Sequence, residues 1–91
     1  MARKKKTNED IANLIRQTAD DLSGTDSMSM ILGDELDVIA DSVSVNGVER
    51  AIEETEMKNR WVTEDLRKDK DNPSLRGRSA AYTSALEIMT K

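Results

Sequence analysis

Asp34, Asp37 and Asp41 are the residues whose type and spacing come nearest to a chemistry. At 3.6 residues per turn they share one side of a helix, where neighbouring carboxylates can hold Mg²⁺ or Ca²⁺ through their oxygens and a few waters. Carboxylates on a surface helix are more often a solvated face, and the reading adopted is that no metal binds. Glu49, Glu53 and Glu56 form a second acidic face one helix further on. Other catalytic chemistry has little to draw on. The chain has no His and no Cys, which removes the commonest general base, the thiol nucleophile and the usual zinc ligands. Four scattered Gly residues cannot form a phosphate-cradling loop. A Ser–Lys pair needs a buried, pre-organised lysine, and the pattern supplies none. Neither enzymatic activity nor a cofactor is expected.

Binding chemistry is better represented. Counted along the chain, residues 1–19 hold five bases and two acids (+3), residues 20–57 one base and eleven acids (−10), and residues 58–91 eight bases and five acids (+3), which sums to the net −4. Basic ends folding against an acidic middle would account for this without any partner. An acidic face meeting a basic protein would account for it equally, with complementary charge raising on-rate and selectivity. Arg3, Lys4, Lys5 and Lys6, with Arg76 and Arg78, could instead track nucleic-acid phosphates. Arg76 and Arg78 fall in the first turn of a helix, where the dipole disfavours cations, so an anion or acidic surface is expected beside them. The spacing of residues 23–27 resembles the turn of a helix-turn-helix, but the following helix would present aspartates to the groove, which is the wrong sign.

These side chains must be positioned by helices. Thr7 is a candidate N-cap with Asp10 at the third position of a capping box. Helix 1 follows over about 8–22, with Ile11, Leu14, Ile15, Thr18 and Leu22 as its apolar face, Ala12 and Ala19 at the edge, and Ser23-Gly24 as its stop. Thr25-Asp26-Ser27 caps a second helix over about 27–45. There Met28, Ile31, Leu32, Leu36, Ile39 and Val43 lie opposite the aspartates. Gly33 inside it either permits a close approach or marks a break, Glu35 on the apolar side needs a partner, and the β-branched alternation of Ser42–Val45 predicts fraying. Asn46-Gly47 turns the chain into helix 3, about 48–68, whose face of Val48, Ala51, Ile52, Thr55, Val62 and Leu66 has Asn59 in its midst. Met57 and Trp61 point away from that face, as an anchor for a partner, an oligomer interface or a third layer of the core. Asn72-Pro73 starts helix 4, about 73–90, with Leu75, Tyr82, Leu86 and Met89 on one side and the smoother row Gly77, Ala81, Ser84, Ala85 and Ile88 on another.

The fold expected is therefore all-α, a small bundle of about four helices spanning residues 7–91, preceded by a flexible basic arm at residues 1–6. Only Trp61 and Tyr82 are aromatic in 91 residues, so the core is thin and self-association would bury more. No run of about 18 apolar residues is present to span a membrane, and the basic start lacks the apolar stretch of a secretory signal, so a cytoplasmic setting is expected. The function expected is non-enzymatic: a protein-binding module docking Asp34, Asp37, Asp41, Glu49, Glu53 and Glu56 on a basic partner, in the manner of a regulator, inhibitor or adaptor. An oligomeric nucleic-acid-binding protein using the basic arm is the alternative.

Overall fold

The computed structural model of the chain describes residues 7–90. Four helices account for almost all of them: α1 (Asn8–Leu22), α2 (Ser27–Asn46), α3 (Val48–Lys68) and α4 (Pro73–Met89). Each boundary has a local cause. Thr7 Oγ1 accepts the Asp10 N–H at 3.1 Å while Asp10 Oδ2 accepts the Thr7 N–H at 3.2 Å, so the capping box closes with Asp in place of the usual Glu. Asp26 caps α2 by accepting from Ser29; hydrogen bonds from the Ser29 side chain, and then its backbone, hold the Asp26 carboxyl below the ordinary carboxylate range. Asn72 Oδ1 accepts the Ser74 and Leu75 N–H groups ahead of α4, with Pro73 in its first turn. Between α2 and α3 a single residue makes the turn. Gly47 has φ of 89°, a conformation that L side chains rarely adopt, and it caps both helices at once.

Successive helices run antiparallel, so α2 and α4 run parallel. The arrangement across the molecule is α1, α2, α4, α3, with α4 packed on both α2 and α3 and with α1 and α3 on opposite flanks. The body is 48 Å long against 26 and 24 Å in the other directions. The small row of α4 makes this possible. Gly77, Ala81 and Ala85 are buried, and a Cβ added at Gly77 would stand 2.7 Å from the Met28 carbonyl oxygen. Tyr82 and Met89 are buried as well. The core is completed by Leu32, Leu36, Ile39, Ala40 and Val43 of α2 with Ala51 and Val62 of α3.

Two expectations need correcting. The α1 core face is Ile11, Ala12, Ile15 and Ala19, while Leu14 and Leu22 are 37% and 43% exposed. The helix is rotated so that its alanines meet α2, its main neighbour. The end of α2 does not fray. It continues to Asn46 with Val43 fully buried, and the Ser44 hydroxyl donates to Glu9 Oε2 at 3.1 Å, tying the last turn to α1. Of the two readings of Gly33, the structure has the close approach and not the break: α2 runs through it without interruption, and a Cβ there would stand 2.9 Å from Ser23 Oγ, so the glycine admits the chain that leaves α1.

Candidate functional site

The exposed side of the bundle is organised around the space between α2 and α3. The two helices are joined tightly at Gly47 and then diverge over α4. This leaves a groove of about 400 Å³ lined by Val38, Lys58, Trp61, Val62, Asp65 and Leu75, with Glu35, Arg78 and Tyr82 of α2 and α4 completing it. Val38 is 52% exposed, Trp61 63% and Met57 42%. Trp61 and Met57 are therefore not a third layer of this chain's core. They form an unpartnered face of α3, and Val38 extends it onto α2.

Glu35 has the partner that its position on an apolar face demands. Tyr82 donates its hydroxyl to Glu35 Oε2 at 3.0 Å, and Arg78 Nε lies 3.6 Å from Glu35 Oε1. Burial, reinforced by the hydrogen bond to and the charge of Glu35, pushes the Tyr82 hydroxyl up to about 12. The acidic group beside Arg78, the sixth residue of α4 and so in its second turn, is Glu35. Arg76 is exposed and has no ion pair among the described residues. Arg3, Lys4, Lys5 and Lys6 lie outside the described residues.

All six carboxylates singled out in the sequence are exposed, and they fall on two rows on either side of the groove. Asp34, Asp37 and Asp41 occupy the edge of α2 that turns toward α1. Arg16 of α1 reaches Asp41 Oδ1 at 3.1 Å and also donates to Ser44 Oγ at 3.4 Å and Asn13 Oδ1 at 3.2 Å. Glu49, Glu53 and Glu56 occupy the edge of α3 remote from α2, where Glu56 borders a shallow hollow with Asn59, Arg60 and Leu86. Apart from Asp41, none of the six has an ion pair among the described residues. Asn59 Oδ1 is buried on this side and accepts no hydrogen bond among the described residues.

Among the described residues no group of three or more Asp or Glu side chains is gathered closely enough to hold a metal ion, and the three aspartates of α2 stay spread along their row. No helix of the described residues is long and apolar enough to cross a membrane. The sequence pattern alone missed Val38, Lys58 and Asp65. Val38 stands four residues after Asp34 and three before Asp41, beside the acidic row and off the core face, which is the signal that could have found it. Lys58 and Asp65 become a site only because α2 and α3 diverge beside them. In comparison with known proteins, the chain matches no family model, no curated protein and no solved structure.

Proposed function

We propose that this chain is a non-enzymatic protein-binding module that docks its two acidic rows on a basic surface of another protein. The observation that carries the reading is the state of the carboxylates. Asp34, Asp37, Glu49, Glu53 and Glu56 are exposed and have no ion pair among the described residues, within a stretch that carries ten excess negative charges (eleven acids, one base, residues 20–57). A monomer gains nothing from holding like charges in rows, because self-repulsion destabilises the compact state. A basic partner reverses the sign of that term. The phosphate-tracking alternative has less in its favour, since Arg78 already faces Glu35 and the exposed surface of α2 is acidic.

The test is charge reversal at residues that make no ion pair or side-chain hydrogen bond among the described residues. Asp34→Lys with Asp37→Lys on α2, and Glu49→Lys with Glu53→Lys on α3, leave the core untouched. Asp41 is spared because it holds Arg16. The protein captured by the wild-type chain is expected to be lost from both variants, and its release from the wild type to come at moderate salt. Capture that survives all four reversals at low salt would end this reading.

A further inference from the structure

We infer that the Trp61 face of α3 is the contact surface for a second copy of this chain, packed antiparallel about a two-fold axis through Trp61. The inference does not rest on the acidic-row reading, because it concerns the strip between the rows. Its ground is the order of charges along that strip. Glu54, Lys58, Trp61, Asp65 and Lys68 follow one another at spacings of four, three, four and three, the interval that keeps side chains on one line of a helix that packs against another. Outward from Trp61, the residue three before is Lys58, and those three and four after are Glu64 and Asp65. The residue seven before is Glu54, and seven after is Lys68. The signs invert on reflection through Trp61.

That inversion is the condition for antiparallel self-pairing. In an isologous contact residue i meets j while j meets i, so Lys58 of each copy meets the Glu64–Asp65 pair of the other, and Glu54 meets Lys68. A parallel pairing would set every charge against its own copy. Lys58 and Asp65 are free for the purpose, since neither has an ion pair among the described residues. Glu64 is held by Arg67 at 3.5 Å on an exposed position, where such pairs are weak and readily shared. Glu54 is half-buried, held by Arg50 at 3.3 Å and by the Ser42 hydroxyl at 3.4 Å, so the inner pairing of Lys58 with Glu64 and Asp65 carries more of the contact than the outer one. The apolar centre of the contact is Trp61, Met57 and Val38 from each copy, whose exposures of 63%, 42% and 52% fall to near zero on pairing. A Trp at the middle of an interface with charges at its rim is the usual placement of a dominant contact. The strip is short, so the dimer is a weak one, and Asp34, Asp37, Glu49 and Glu53 remain on surfaces outside it.

Sedimentation equilibrium of the full chain, from about 10 μM to about 1 mM at low salt, tests this. The wild-type chain is expected to pass from 10.2 kDa toward twice that mass across the range. Lys58→Glu acts twice in a symmetric dimer and is expected to raise Kd about tenfold. Adding Glu64→Lys and Asp65→Lys to Lys58→Glu restores the inverted order with the signs of the inner pair exchanged and Glu54 and Lys68 unchanged, and Kd is expected to return to within about threefold of wild type. Trp61→Ala is expected to stay monomeric throughout with unchanged helix content by circular dichroism. A wild-type chain that is monomeric at the top of the range would overturn the inference. So would a dimer indifferent to Lys58→Glu, or one that the triple variant fails to restore.

Discussion

Alanine in place of Gly77 and alanine in place of Gly33 should move stability in opposite directions, although both glycines are helical. Intrinsic propensity favours Ala over Gly by about 1 kcal/mol at either position. At Gly77 the new Cβ would come to 2.7 Å from the Met28 carbonyl oxygen and 3.3 Å from two atoms of the Ile31 side chain. The obstacle is backbone in the first turn of α2, so α4 must move off α2 as a unit and disturb the packing of Ala81 and Ala85. Overpacking of that kind costs about 1–3 kcal/mol, and with the core shared by both helices the upper part of that range applies. The net expectation is a loss of about 1–2 kcal/mol, or roughly 5–15 °C in Tm for a domain of this size. At Gly33 the Cβ would meet Ser23 Oγ at 2.9 Å and Ser23 Cβ at 3.1 Å. Ser23 is exposed and lies just past the end of α1, so it can yield by a few tenths of an ångström. Gly33→Ala should then be neutral to stabilising, within about 1 kcal/mol above wild type. Urea denaturation followed by circular dichroism measures both. Equal destabilisation by the two substitutions would refute the close α2–α4 approach on which the arrangement of the helices rests.

Tyr82→Phe removes the hydrogen bond to Glu35 and should cost about 1 kcal/mol at neutral pH, because Glu35 keeps Arg78 and some water. The Tyr82 hydroxyl is raised in the folded state, so its contribution is complete below pH 10 and is lost as pH rises from 10 toward 12. The stability difference between wild type and Tyr82→Phe should therefore shrink over that window; a difference constant from pH 8 to 12 would argue against the contact. Trp61→Ala should change stability by less than about 1 kcal/mol, whereas Leu36→Ala, at a fully buried position, should cost about 2–5 kcal/mol. Urea midpoints of the two variants decide this, and a large loss for Trp61→Ala would place the indole in the core. At concentrations too low for pairing, the sole Trp should fluoresce as a solvated indole and be quenched freely by iodide.

The helices were legible because their ends carry local chemistry. Thr7 with Asp10, Asp26, Gly47 and Asn72-Pro73 each determine a boundary through backbone groups within three residues, and no distant contact overrides them. That Trp61 and Met57 leave the core face of α3 was legible from helical period, as was the need of Glu35 for a partner; whether a third layer covered them was not. The identity of that partner was not, since Tyr82 and Arg78 lie more than forty residues away. The rotation of α1 escaped for a related reason: leucine outranks alanine in burying area, but where two helices come close the smaller side chain takes the interface. Asp41 reads in the sequence as one of three equivalent carboxylates, and only the packing of α1 separates it by supplying Arg16. The groove beside Val38 escaped too, because it depends on how α4 spreads α2 from α3.

The most direct test of the central claim is affinity capture from native lysate on the immobilised wild-type chain, with and without nuclease treatment. A protein partner recovered in equal amount after nuclease, and released by salt, is the predicted result. Recovery that disappears with nuclease would contradict the claim and assign the binding to nucleic acid.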